Sequence, residues 1–187
     1  MIERVGRMPA RRRRTPQGDH YAALLRSIIG QQLSVKAAAS IYARVIGFYG
    51  GAPPTPEQII ATDPLDLRSL GLSHAKAAYL RSLAEHVLSG ELELARLESL
   101  DDATIIAELT AVKGLGEWTA QMFLMFQLER PDVMPVGDLG IRRAVERWWS
   151  LPEMPRADEL LALAEPWRPY RTLAARYLWT SLDAAPV

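Results

Sequence analysis

Two glycines flanking Leu115 break a helical pattern in the run Leu109-Thr-Ala-Val-Lys-Gly-Leu-Gly-Glu-Trp-Thr-Ala120. Gly114 and Gly116 let the backbone turn where other residues are strained, so the run reads as helix, tight turn, helix. Such a turn forces two helices into a hairpin and leaves the amides that open the second helix uncovered. Those amides and the helix dipole form a site for an anion such as a phosphate. Twenty positions after Trp118, the run Val136-Gly-Asp-Leu-Gly-Ile-Arg-Arg143 places Asp138 at the start of a further helix. A phosphate anchor followed by a positioned carboxylate points to chemistry on nucleic acid.

The rest of the chain repeats the same helical grammar, with no convincing alternating strand. Asp19 caps a first expected helix to about Ile29, and Ser34 caps 35–49, whose Ala-rich face is expected to pack closely. Thr55-Pro56 and Asp63-Pro64 open two short helices. Ser73 begins a longer one closed by Gly90, and Asp101 caps 102–112. Residues 117–128 carry Met122, Phe123, Leu124, Met125 and Phe126, apolar on almost every side, so that helix is expected to be buried. Helices over 138–149, 158–164 and 170–182 complete an all-α chain. Residues 1–17 read as a disordered basic tail, and 18–187 as one helical domain in two lobes.

At 187 residues and 49% hydrophobic, the chain can bury a substantial core. It has no cysteine, which excludes disulfides, zinc–thiolate sites and a cysteine-ligated iron–sulfur cluster. No apolar run is long enough to span a membrane and no signal peptide is visible, so a cytoplasmic, nucleoid-associated location is expected. Net charge is zero, but six arginines in residues 1–14 face one glutamate, leaving an acidic remainder. The tail can add non-specific, salt-sensitive attraction to DNA, while contacts by the acidic body are expected to be local.

The hairpin run and the segment around Asp138 resemble the helix-hairpin-helix plus Gly/Pro-Asp signature of the helix-hairpin-helix DNA glycosylase superfamily. The run Ile28-Ile-Gly-Gln-Gln-Leu-Ser-Val-Lys-Ala-Ala38 is similar to its 3-methyladenine DNA glycosylase II branch. The resemblance covers roughly residues 18 to 183. It implies an all-α, two-lobed fold with a central cleft. The extra N-terminal β-domain of some members is not expected, since little chain precedes Asp19.

By that resemblance, Asp138 is the catalytic aspartate, in the setting Pro135-Val-Gly-Asp-Leu-Gly-Ile141; a plain N-cap is its bland reading, and both can hold. Trp118 occupies the place where backbone-cutting relatives carry a nucleophilic lysine; Lys113 lies on the other side of Gly114 and does not match it. Trp118 and Trp179 are the implied walls of a base pocket, since aromatic faces attract a cationic alkylated purine. Met122 and Leu139 stand where the branch has further pocket aromatics, and Tyr21 is a weaker candidate. In the loop Gly30-Gln-Gln-Leu-Ser34, Gln32 or Leu33 is the implied wedge that fills the gap left by an extruded nucleotide. Gln31, Ser34, Lys113, Gly114, Leu115, Gly116, Thr119 and Arg142 are the other expected DNA contacts, several through backbone amides. Carbonyls around Val112 and Leu115 are expected to hold a monovalent cation; no other cofactor is required.

The implied activity is hydrolysis of the N-glycosidic bond of alkylated purines, 3-methyladenine and 7-methylguanine, in double-stranded DNA by a monomer, leaving an abasic site. A bifunctional glycosylase/lyase for oxidised bases and a non-catalytic DNA-binding module are the alternatives. Trp118 speaks against the first and Asp138 against the second.

Overall fold

The computed structural model describes residues 19–183 and, ahead of them, Gly6 alone; the arginine cluster and the rest of the expected tail lie outside the described residues. Regular structure among the described residues is entirely helical. In chain order it comprises α1 (His20–Gly30), α2 (Val35–Phe48), α3 (Pro56–Ala61), α4 (Pro64–Ser69), α5 (His74–Ser89), α6 (Asp102–Ala111), α7 (Glu117–Phe126), α8 (Leu139–Trp149), α9 (Ala157–Ala164) and α10 (Arg171–Asp183). Short 3₁₀ turns occupy Leu94–Ser99 and Glu165–Trp167.

The starts of these helices follow from single side chains. Asp19, Ser34, Ser73, Asp101 and Asp138 each accept a hydrogen bond from the amide three residues on. Asp63 bonds the amide of Leu65, and Thr55 forms a reciprocal capping box with Gln58. Each such cap satisfies an otherwise orphaned donor and contributes about 1 kcal/mol. Pro56 and Pro64 sit in the first turn of their helices, where a missing N–H costs nothing.

The chain divides into two compact units, with the boundary between Phe123 and Leu124 inside α7. In the first, α5 packs against α1, α3 and α4. Leu24, Leu25, Ile28 and Ile29 of α1 meet a core built with Leu80 and Leu83 of α5, Ile59 and Leu67. Fully burying each of these aliphatic side chains contributes about 2 kcal/mol. In the second unit α8 packs on α10, burying Ile141, Ala144, Val145, Ala175 and Leu178. The indole N–H of Trp148 donates to Ser181 Oγ at 2.8 Å across the same pair.

Three details depart from the sequence expectation. Of α2 only Val45 is fully buried; Ala37 and Ala38 are half-buried, Ala38 lying 3.8 Å from where a Cβ on Gly30 of α1 would stand, while Ala39 and Ala43 are exposed, so only part of the Ala-rich face is used in packing. In α7 the residues Ala120, Gln121, Phe123, Leu124 and Met125 are buried, but Trp118 is 47% exposed. The 3₁₀ turns leave no sequence signal, because three-residue periods over so few positions do not register as a face.

Only one of the two hairpin glycines is conformationally required. Gly114 has φ +95°, and a Cβ there would lie 2.2 Å from the ring of Tyr79 on α5, whereas one on Gly116 would meet nothing. Gly114→Ala is therefore expected to cost about 2–4 kcal/mol, from strained backbone and overpacking together. Gly116→Ala is expected to cost less than about 1 kcal/mol. Urea unfolding of the two variants decides the point; equal losses would show that the turn is not seated on Tyr79 as described.

Candidate active site

Asp138 stands at the N-terminus of α8 with an extended backbone, φ −74° and ψ 118°. Its Oδ1 accepts the Ile141 amide at 2.8 Å, so the carboxylate is locked to the helix it begins. The same oxygen accepts the indole N–H of Trp179 on α10, also at 2.8 Å. Hydrogen bonds to a carboxylate are stronger than neutral ones, and two of them from rigid donors leave Asp138 one orientation.

Gly140 completes this arrangement. A Cβ at Gly140 would come within 3.1 Å of Asp138 Oδ1 and 3.2 Å of Trp179 Cδ1. The absent side chain is what lets the indole approach the acid across the first turn of α8. Glycine inside a helix normally costs about 1 kcal/mol relative to alanine, so its presence in Asp138-Leu-Gly-Ile141 is the one mark this close approach leaves in the sequence. Trp179 is further supported by the ring of Phe126, whose centroid lies 6.0 Å away.

The segment leading to Asp138 is laced to the start of α10. Arg171, nearly buried, grips Asp132 through Nε to Oδ1 at 2.7 Å and Nη2 to Oδ2 at 2.9 Å. Nη2 also donates to the Asp132 carbonyl, and Arg168 Nη1 bonds Oδ2 at 2.7 Å. Thr172 accepts the Val133 amide and donates its hydroxyl to the Arg130 carbonyl. Burial pushes the Asp132 carboxyl upward, but the hydrogen bonds and charge of Arg171, joined by Arg168, outweigh it and hold it below the ordinary carboxylate value. Residue spacing gave no sign of this clamp, because its partners lie 39 positions apart.

In the first unit the hairpin is built as expected, α6 and α7 joined through residues 112–116. The Leu115 amide closes the turn on the Val112 carbonyl at 3.0 Å, and the Lys113 amide bonds Ser82 Oγ of α5. Lys113, Gly116 and Trp118 are exposed, while Leu115 and Thr119 are buried, so these two can meet DNA only through their backbone. In the loop after α1, Gln32 is exposed with φ +56°, Leu33 is 38% exposed, and Ser34 is occupied as the cap of α2.

Several of the expected site residues are engaged within the protein itself. Gln31 is half-buried and turns inward, its Nε2 donating to the Gly114 carbonyl at 2.7 Å. Arg142 is half-buried and its Nε donates to the Pro155 carbonyl at 2.8 Å, which makes it a brace; its neighbour Arg143 is the exposed one. Tyr21 is a core residue, its hydroxyl buried without a hydrogen-bond partner among the described residues. Burial, then Tyr49 and Glu57, push that hydroxyl's pKa up. Of the other pocket candidates, Met122 is half-buried and Leu139 is 56% exposed at the start of α8.

A helical hairpin with its dipole-bearing second helix, followed by a capping acid fixed by an indole, defines a class of proteins that act on DNA. The HhH-GPD superfamily of base excision DNA repair proteins matches over residues 25–169, and the chain belongs to that family. DNA-3-methyladenine glycosylase 1 of Schizosaccharomyces pombe is 38% identical over 169 residues, 89% of this chain and 74% of that protein. YfjP of Bacillus subtilis is 34% identical over 169 residues, 87% of this chain, and the chain spans only 59% of its length. The solved structure of the S. pombe 3-methyladenine DNA glycosylase in complex with abasic DNA superposes with a TM-score of 0.87 and 36% identity, covering 98% of this chain and 90% of that one.

The clamp on Asp132 has a pH signature. A carboxyl depressed by folding stabilises the protein fully above its unfolded value, 3.8, and loses that contribution as pH falls through the folded value. Below about pH 5 the unmodified protein should therefore lose stability more steeply than Asp132→Asn. Above that pH the variant should be less stable by a constant amount. Parallel curves of denaturation midpoint against pH would rule the clamp out as a contributor.

Proposed function

We propose that the protein is a monofunctional DNA glycosylase of base excision repair that hydrolyses the N-glycosidic bond of alkylated purines, 3-methyladenine and 7-methylguanine, in duplex DNA. The observation that carries this reading is the Asp138 carboxylate, held at a helix N-terminus and by Trp179. An N3- or N7-alkylated purine is cationic and leaves as a neutral base, taking the electrons of the broken C1′–N bond. Positive charge then develops on the deoxyribose, where a fixed carboxylate stabilises it without reorganising. Water adds to C1′, its proton passes to the carboxylate or to solvent, and an abasic site remains. No strong general acid is required, because the leaving group is already activated.

The exposed indole of Trp118 supplies the face on which a flipped, cationic base stacks. Its place in the hairpin, where a lyase carries lysine, supports hydrolysis without a Schiff base. The amides opening α7 take a phosphate beside the lesion, and Gln32 and Leu33 fill the space the nucleotide leaves. Backbone carbonyls of Val112 and Leu115 suit a monovalent cation: they are hard oxygen donors, and Val112's carbonyl keeps a second lone pair beyond the one used by Leu115. Such an ion would stiffen the hairpin. No helix among the described residues is long and apolar enough to cross a membrane. Chromosomal DNA in the cytoplasm is the proposed place of action, and the proposed working form is a monomer.

Release of bases from methylated duplex DNA, followed by chromatography, tests the proposal. Asp138→Asn should slow single-turnover excision by about a hundred- to a thousandfold, the range found for losing one transition-state charge partner. Excision by that variant at the unmodified rate would sink the proposal, and a covalent DNA adduct trapped with borohydride would replace it with the lyase reading. Trp179→Phe keeps a ring but removes the N–H that fixes Asp138. Excision should fall about tenfold or more, the weight of one hydrogen bond to a charged group. An unchanged rate would mean that the indole orients nothing.

A further inference from the structure

The loop between α1 and α2 and the α6–α7 hairpin are 83 positions apart in sequence at their meeting point, yet one side chain ties them. Gln31 Nε2 donates to the Gly114 carbonyl at 2.7 Å. Only the amide NH₂ can face a carbonyl, so the orientation of the side chain is settled by its partner. Both ends of the tie are themselves fastened to α5. Lys76 Nζ caps the end of α1 through the Ile29 carbonyl at 2.8 Å, immediately before the loop. Three residues further along α5, the Tyr79 ring lies under Gly114, and Ser82 Oγ then accepts the Lys113 amide. Gln31 closes this frame on its open side.

We infer that Gln31 is a positioning residue that makes the extrusion loop and the phosphate-gripping hairpin a single rigid reader of damaged DNA. The inference rests on the glycosylase reading above. With Gln31 turned inward, the loop presents Gln32 and Leu33 outward, Gln32 in the left-handed region that non-glycine residues seldom adopt. A loop held in such a conformation needs its neighbours to fix it, and the Gln31 tie supplies that from the hairpin. When a phosphate docks on the amides of α7, the wedge is thereby already set at a fixed distance from it. The unfavourable work of flipping is done by a preorganised surface and not by a loop that must order itself on DNA.

Gln31→Glu tests this, because it keeps the size of the side chain but presents only acceptors to a carbonyl; Gln31→Ala removes the side chain altogether. Both should weaken binding to a duplex carrying a tetrahydrofuran abasic analogue, and slow single-turnover excision of 7-methylguanine, by about three- to tenfold, the size of one hydrogen bond. Binding to an undamaged duplex should change less than about twofold, since the phosphate anchor is untouched. The deciding measurement is non-additivity. In a Gln32→Ala/Leu33→Ala background, Gln31→Ala should add almost nothing, because it acts only through the residues already removed. Full additivity would overturn the inference and make Gln31 a direct DNA contact, and unmodified rates for both Gln31 variants would overturn it outright. If the Gln32/Leu33 double variant itself excised at the unmodified rate, the wedge reading would fall first, whatever Gln31 did.

Discussion

A single oxygen atom organises the second unit. Asp138 Oδ1 receives the amide that begins α8 and the indole N–H of α10, so the start of one helix and the face of another are fixed by the same acceptor. The cap that starts the helix and the acid proposed for chemistry are therefore one group. Rigid donors spare it any reorganisation when charge develops nearby. Three further features serve its placement. Gly140 leaves room for the indole, Phe126 supports it, and the Asp132–Arg171 pair holds the approach segment to the base of α10.

The first unit has an analogous dependence on α5. Its buried face carries the core, while Lys76, Tyr79 and Ser82 lie along the flank that receives the loop after α1 and the hairpin turn. Residues three apart share a helix face, so one regular element presents three anchors at fixed spacing. The loop and the turn, which have little regular structure of their own, inherit their geometry from it.

What was legible in the sequence was local. Asp19, Ser34, Thr55, Asp63, Ser73, Asp101 and Asp138 were each read as helix starts from residue type and neighbours, and each caps its helix. A cap depends on an amide two or three positions away, so the information is contained in the segment. The long-range ties were not legible. Trp179 could be nominated by resemblance but not its bond to Asp138, 41 positions distant. Gln31 and Arg142 look like DNA contacts in sequence because polar and basic residues beside a motif are usually solvated; folding turned both toward backbone carbonyls. The burial of Tyr21 was not legible either, since an aromatic on an amphipathic helix reads the same whether it lines a pocket or a core.

The charge distribution and the hydrogen-bond pattern belong together. Outside its first fourteen residues the chain is net acidic, with sixteen basic against twenty-one acidic side chains. Long-range attraction to DNA scales with the number of phosphates neutralised, so a body of this composition has little of it to offer. Two of its basic groups beside the motifs, Arg142 and Lys76, are occupied in bracing the protein's own backbone. In the function proposed above, the body's share of the affinity comes from a few directed contacts: helix-opening amides, a stacking indole and a wedge held at a set position. Directed contacts are effective only if they arrive together, because each one that had to be ordered separately would cost conformational entropy comparable to what it contributes. Arginines turned inward as braces and a glutamine used as a tie are what a weakly attracting, preorganised surface requires.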